Sequence, residues 1–231
     1  MAQHPHVWVV NHCIVSTEGF GDVRDFTAFM LRATPGATVD VDDDRMVQAA
    51  VYWWQRFGGG VWFAEYLETI PLLPDCTDLQ AKFPALCMPI LVDPRLGHTQ
   101  MAQCANLAFA EYGYTNATLV PSARARAFPT DRPYWVLAND GEATLGKRAL
   151  DWQKACEKEG MYAATLELLF ALWVQRPPRT YTMSAPETRH AVHKGQCACV
   201  LTQNGKARVI ASEVDFKGPK SATPFFVPLL P

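Results

Sequence analysis

The dipeptide Asn204-Gly205 is the sequence feature that most constrains this fold, because it stands between two short apolar runs. Asparagine and glycine tolerate the positive φ angles that a type I′ turn needs, so the pair favours a tight connection between two strands. We therefore predict a C-terminal β-hairpin with strands at residues 197–203 and 206–211.

A strand, a helix and a second strand follow one another in the middle of the chain. Residues 88–92 form a short apolar run, residues 98–112 have apolar positions at helical spacing, and residues 117–120 are apolar again. This order predicts a right-handed βαβ crossover between two parallel strands.

The remaining patterns complete the predicted fold. The clearest helix is predicted at residues 40–57, where acidic residues precede an apolar stripe at helical spacing. Other helices are predicted at 147–159 and 161–174, and strands at 7–15 and 134–138. Together these elements predict an α+β fold: a small mixed sheet with a βαβ element, packed helices and a C-terminal β-hairpin.

Length and composition predict a single globular domain over residues 1–231. Of the 231 residues, 49% are hydrophobic, which is enough to fill one sizeable core, and only 19% are charged, which argues against disorder. Ordering Gly58-Gly59-Gly60 carries a large entropy cost, so we interpret these residues as a hinge or as a close approach of the backbone.

Net charge and motif content exclude several common function classes. The net charge is -2 at pH 7, and no basic stripe is present that could neutralise phosphates, so no nucleic-acid partner is predicted. The nearest candidates, Arg124, Arg126 and Arg132, are interpreted as solvated loop residues. The sequence also lacks the Walker-type loop, the dinucleotide-binding glycine motif and the nucleophile elbow of hydrolases.

Cysteine usage and hydropathy predict a soluble, cytoplasmic protein. The seven cysteines are an odd number, whereas disulfide frameworks favour even counts in small chains. The N-terminal residues lack the cationic and apolar regions of a signal peptide. The most apolar run, residues 161–174, contains Glu167 and is too short to span a bilayer, so no membrane partner is predicted.

Two histidines and two cysteines near the C-terminal hairpin are candidate metal ligands. His190, His193, Cys197 and Cys199 supply the imidazoles and thiolates that zinc prefers, although their spacing departs from the usual zinc knuckle. Alternatively, the cysteines belong to a buried strand face and the histidines to a preceding loop. The first alternative makes zinc a candidate cofactor.

Asp93, Arg95 and His98 form a second candidate site. Asp93 follows a predicted strand, and ligands of open α/β sheets gather at the carboxyl ends of strands. An acid, a guanidinium and an imidazole within six residues could bind and activate a polar substrate. The alternative interpretation is an Asp-Pro turn followed by a histidine at the start of a helix.

The proline-rich tail, residues 218–231, is strongly apolar. Its large side chains are Phe225, Phe226, Leu229 and Leu230. Such a tail can pack along its own domain, or it can mediate contact with a protein partner or self-association.

Several short motifs follow one another in the second half of the chain: Arg132-Pro133-Tyr134-Trp135, Asp140-Gly141, Gly146-Lys147, Glu159-Gly160-Met161, Ala164, Gln175 and Pro177. Over about residues 85–205 the chain resembles an uncharacterised bacterial protein family of unknown function. In that family a Pro-Tyr-Trp strand, an Asp-Gly turn and a Gly-Met-Thr-Ala-type helix recur in the same order. The resemblance implies a compact bacterial domain and no reaction, ligand or partner.

Two hypotheses about function follow from the sequence. The first is a non-enzymatic intracellular binding or protein-interaction domain, since no complete catalytic constellation is present and the tail is apolar. The second is a small-molecule enzyme or a metal-binding protein that uses Asp93 and His98, or the cluster from His190 to Cys199.

Overall fold

The chain divides into two compact units, residues 1–72 and 73–231. The predicted helix at 40–57 and the hinge at 58–60 lie outside the residues that the structure describes, and the single domain stays a prediction. The structure is a computed structural model, which describes residues 7–10, 13–16, 66, 69–105, 107–109, 119–175, 182–193, 195–203, 206–215, 218 and 220–229.

The first unit contains a β-hairpin where the sequence predicted one strand over residues 7–15. Strands β1 (Val7–Val10) and β2 (Cys13–Ser16) are antiparallel, with Val7 opposite Ser16 and Val10 opposite Cys13. The β-branched run therefore folds back on itself, and Asn11, a common turn residue, stands in the sequence between the two strands.

The second unit combines helices with two sheets, which confirms the α+β fold class. Its helices are α1 (Thr77–Lys82), α2 (Gly97–Cys104), α3 (Ala149–Glu159) and α4 (Leu166–Gln175). Its strands are β3 (Met88–Val92), β4 (Ala108–Phe109), β5 (Leu119–Pro121), β6 (Tyr134–Ala138), β7 (Tyr162–Ala163), β8 (Thr182–His190), β9 (Gln196–Gln203), β10 (Lys206–Glu213), β11 (Ser221–Ala222) and β12 (Phe225–Leu229).

One sheet is mixed and contains the predicted hairpin. Its described strands run in the order β11-β8-β9-β10-β4, and β5 pairs with the far end of β8. Strands β9 and β10 are antiparallel from the pair Gln203–Lys206 to the pair Gln196–Glu213, which confirms the hairpin. The turn residues 204–205 lie outside the described part of the chain.

The other sheet is antiparallel and has the order β3-β6-β12-β7. The C-terminal tail supplies β12, which pairs with β6 on one side and β7 on the other. Phe225, Phe226 and Leu229 are buried in this unit. The tail therefore packs along its own unit as an inner strand of the sheet, and contact with a protein partner or self-association through it stays a prediction. Leu230 lies outside the described residues.

The prediction of a βαβ crossover is wrong. Strand β3 pairs with β6 in the antiparallel sheet, whereas β5 pairs with β8 in the mixed sheet, so the two strands share no sheet. Helix α2 ends at Cys104, and β4 at 108–109 occupies positions that the sequence assigned to the helix. Apolar runs indicate that strands exist, but the choice of strand partners depends on contacts across the whole unit.

Helix α4 lies against both sheets, since it contacts β3 and β8. An apolar surface on all sides is typical of a helix buried in a core. No helix among the described residues is long and apolar enough to cross a membrane. The fully or nearly fully buried residues of α4 are Leu166, Leu168, Leu169, Phe170, Ala171 and Leu172.

The outer edge of β3 is protected by a side chain. The backbone N–H of Leu91 donates to Gln175 Oε1 at 3.2 Å, and Gln175 Nε2 donates to the carbonyl of Leu91 at 2.7 Å. Pro89, two residues earlier on the same side, has no N–H to offer to another strand. The side chain of Gln175 therefore makes the two backbone hydrogen bonds that a neighbouring strand would otherwise make with Leu91.

Several residues that carry the family resemblance have structural tasks. Gly141 has φ 87° and lies so close to Pro224 that a Cβ atom would approach its ring to 3.2 Å. Gly160, with φ 75°, ends helix α3 in the left-handed conformation. The N–H of Gly146 donates to the carbonyl of Ser221 at 2.8 Å. These contacts join the α3 region to the tail.

Candidate acid–base site

The structure brings Asp93 and Arg95 together as an ion pair after β3. Asp93 is fully buried, and its Oδ1 caps the short 3₁₀ helix Pro94–Leu96 by accepting the backbone N–H of Arg95. The guanidinium donates from Nε to Oδ1 at 2.9 Å and from Nη2 to Oδ2 at 2.6 Å. Both carboxylate oxygens are engaged, so Asp93 is a poorer general base than the sequence suggested.

His98 is paired with a carboxylate that the sequence analysis did not assign to a site. Its Nε2 lies 2.6 Å from Glu167 Oε1, and the two side chains are 15% and 24% exposed. His98 stands in the first turn of α2 and Glu167 in the first turn of α4, and these helices are in contact. An imidazole with a carboxylate behind it and partial access to solvent can exchange protons with a bound molecule.

The surroundings keep Glu167 ionised. Burial opposes its charge, but the hydrogen bond and the charge of His98, with a hydrogen bond from Thr165, hold the pKa of Glu167 below its ordinary value. Because an ionised carboxylate only accepts hydrogen bonds, Nε2 of His98 carries the shared proton. Burial, and then the negative charge of Glu167, raise the pKa of Tyr134, whose hydroxyl stays protonated.

Aromatic packing fixes the orientation of the imidazole. The His98 ring stands edge-on to Phe170, with 6.2 Å between ring centroids. Phe170 lies one turn after Glu167 on α4, so one helix supplies both the hydrogen-bond acceptor and the apolar wall.

The only trace of Glu167 in the sequence is a single charge inside the apolar run 161–174. Its partner is 69 residues away along the chain. Spacing arguments connect residues within a few helical turns. The pairing therefore depends on the packing of α2 against α4.

The four predicted zinc ligands are not brought together. His190 is buried, and its Nδ1 accepts the backbone N–H groups of Val192 and His193 at 3.2 and 3.0 Å. Cys197 is paired in register with Arg189, and neighbouring residues of a strand face opposite sides, so His190 points away from the cysteine face.

Cys197 and Cys199 belong to the core instead. Both are buried against Ala149 and Val214, and the thiol of Cys199 donates to Ser184 Oγ at 3.4 Å. A hydrogen bond with Cys199 and burial raise the pKa of the Cys197 thiol, which disfavours the thiolate that a metal needs. No group of three or more metal-binding side chains is found among the described residues, which include all four predicted ligands. The four side chains therefore do not form a single group of ligands in this structure.

Comparisons of the chain with protein-family models, with curated proteins and with solved structures give no match. The resemblance to an uncharacterised bacterial family thus stays a prediction.

Proposed function

We propose that this chain is an enzyme that acts on a small polar molecule, with His98 as general base and acid and Glu167 as the residue that positions it. The observation that carries the proposal is the 2.6 Å contact between Nε2 and Oε1 in a partly exposed pair. A carboxylate that holds one ring nitrogen fixes the tautomer and leaves the other nitrogen as the proton acceptor.

The chemistry of this pair follows from its geometry. Glu167 holds the proton on Nε2, so the lone pair on Nδ1 can take a proton from water or from a substrate hydroxyl. The imidazolium that forms is stabilised by the adjacent anion and then returns the proton to the leaving group. Asp93 and Arg95 are positioning residues, since their ion pair secures the turn that leads into α2.

A protein-interaction domain stays the alternative hypothesis. It rests on the low charge, on the lack of a complete catalytic constellation and on the apolar tail, whose described large side chains are buried in their own unit. A cytoplasmic location is part of our proposal, and it is supported by the thiols: Cys76, Cys87, Cys156, Cys197 and Cys199 form no disulfide.

Hydrolysis of 4-nitrophenyl acetate tests the acid–base pair, because a base that activates water releases a coloured phenolate. We expect catalysis by the wild-type chain above an equal concentration of free imidazole. His98→Gln is expected to lower the rate by about a hundredfold, the lower end of the usual contribution of general acid–base catalysis. Glu167→Gln is expected to lower kcat by a smaller factor and to alter the pH profile.

His193→Gln is the matched control, since His193 is an exposed histidine with no carboxylate in contact among the described residues. Its rate should equal that of the wild type. Equal rates for the wild type, His98→Gln and Glu167→Gln would refute the proposal. Circular dichroism of each variant verifies that the fold is retained.

A further inference from the structure

A second group of buried charges surrounds Glu187, at an irregular point of β8. The pairing of β8 with β9 shifts register between Ala185 and Arg189, and Glu187 lies within this irregular stretch. Its backbone is held on both sides: its N–H donates to the carbonyl of Ala164 at 3.2 Å, and its carbonyl accepts the N–H of Ser122 at 2.7 Å. The side chain is fully buried.

The two carboxylate oxygens of Glu187 have unequal surroundings. Oε2 accepts a short hydrogen bond from Ser122 Oγ. Oε1 has no hydrogen-bond partner among the described residues, and Arg124 Nη1 stands 3.7 Å away, beyond hydrogen-bond distance. Nη1 of Arg124 is also a buried atom that has no hydrogen-bond partner among the described residues.

Arg124 is held near Glu187 by its other contacts. Its Nη2 donates to the carbonyl of Met161 at 3.1 Å, and its guanidinium lies over the Tyr162 ring, 4.4 Å from the centroid. Nη1 is also 3.5 Å from Glu157 Oε1. The side chain of Arg124 is 32% exposed, whereas that of Glu187 is fully buried.

Among the described residues, the carboxylates of Glu157 and Glu187 both lie within 4 Å of one guanidinium, that of Arg124. The negative charge of Glu187 also affects the neighbouring thiol of Cys156. Burial, and next the charge of Glu187, raise the pKa of this thiol to about 12. A buried carboxylate oxygen without a donor is costly, and native proteins keep such atoms rare.

We infer that Glu187 is the anionic centre of a binding site for a small planar nitrogen cation, of the amidinium or guanidinium class, and that Arg124 occupies this site until the ligand replaces it. The ligand would donate an N–H to Oε1 of Glu187 and lie on the face of Tyr162 where the guanidinium now lies. A charge-assisted hydrogen bond would replace a 3.7 Å contact. This site is separate from His98 and Glu167 and stands independently of the proposed enzymatic function.

Titration with N-methylguanidinium, followed by backbone amide NMR shifts, tests the inference on the full chain. We expect saturable shifts at Glu187 and Tyr162 in the wild type, and none with N-methylurea, the neutral molecule of the same shape. Arg124→Ala should bind N-methylguanidinium on the order of tenfold more tightly than the wild type, because no Arg124 guanidinium then competes with the ligand for the site. Glu187→Gln should abolish the saturable shifts.

Arg126→Ala is the matched control, because Arg126 is an exposed arginine on the short 3₁₀ helix Ala125–Ala127, which directly follows Arg124. Its affinity for N-methylguanidinium should equal that of the wild type. Absence of saturable shifts in the wild type, or equal shifts with N-methylurea, would overturn the inference. If Glu187→Gln unfolds, the affinities of the wild type, Arg124→Ala and Arg126→Ala still test the inference. Equal affinities in all three proteins would contradict the exchange of Arg124 for the ligand.

Discussion

Glu167 is an acidic residue on a helix whose other described side chains are mostly buried and apolar. A charge in such a place needs a partner, because transfer of an ion out of water is unfavourable. His98 and Thr165 supply hydrogen bonds, and the first turn of α4 supplies exposed backbone N–H groups. The same contacts that stabilise the carboxylate also orient the imidazole, so the stability of the fold and the proposed chemistry share one hydrogen-bonded pair.

Glu167 should make unfolding depend on pH in the acid range. The hydrogen bond and charge of His98 outweigh burial and lower its pKa from 4.5, so this stabilisation is complete above that pH and is lost as the pH falls through the folded-state pKa. Urea unfolding of the wild type and Glu167→Gln, measured from neutral pH down to pH values below 4.5, should show the two stabilities converging as the pH falls. A stability difference that stays constant over this range would contradict the assignment.

At the scale of residues, the sequence indicated one member of the proposed acid–base pair. His98 was recognised because an imidazole stands near an acid and a guanidinium at the start of a helix. Glu167 was noted only as a charge in an apolar run, since a separation of 69 residues has no periodic signature. Asp93 and Arg95 lie together as an ion pair, and a catalytic role for either residue stays a prediction.

The edge of β3 shows how one side chain controls the behaviour of an element. Exposed strand edges favour pairing with other chains, and native proteins block them with proline or with covering groups. Here Pro89 and Gln175 together occupy the outward-facing positions of β3.

Gln175→Ala should weaken this edge. The variant loses two hydrogen bonds to the backbone of Leu91, and we expect a decrease of about 1–3 kcal/mol in the free energy of unfolding. Urea denaturation measures the loss, and light scattering measures new association through the edge. Gln196→Ala removes an exposed hydrogen bond to Glu213, so it serves as the control and should change stability by less than about 0.5 kcal/mol. Equal effects of the two substitutions would contradict the protective role of Gln175.

At the scale of elements, the sequence predicted those strands whose buried residues are also apolar, and it missed a buried strand that contains polar residues. Strand β6 was predicted with its observed bounds because all of its residues are buried and most are β-branched or aromatic. Strand β8 was missed, because Pro186, Glu187 and Arg189 give it the polarity of a loop. Its burial depends on α3 and α4, which lie against it. The βαβ prediction failed because the neighbours of β3 and β5 come from distant parts of the chain.

The second unit as a whole depends on its C-terminal residues. Phe226 packs against Phe128, with centroids 5.4 Å apart, and Phe225 stacks on Trp152 at 5.6 Å. The tail therefore joins the loop before β6, helix α3 and two strands into one core.

Phe226→Ala should destabilise this unit strongly. Its side chain is 1% exposed, and removal of a buried phenyl group costs about 3–5 kcal/mol. Val192→Ala, at a residue that is 75% exposed, is the control and should stay within about 0.5 kcal/mol of the wild type. Chemical denaturation followed by Trp fluorescence compares the two. A loss below 1 kcal/mol for Phe226→Ala would contradict the inner position of β12.

The central place of β12 also sets the order of events during protein synthesis. Strand β6 is translated long before the residues that complete its hydrogen bonding, so the antiparallel sheet cannot close while the nascent chain still lacks residues 225–229. Until then, β3 and β6 are an isolated pair of apolar strands, and two-stranded hairpins alone are marginally stable. Folding of this sheet therefore follows translation of its last strand, and chaperones that shield apolar segments have their greatest effect before that strand emerges from the ribosome.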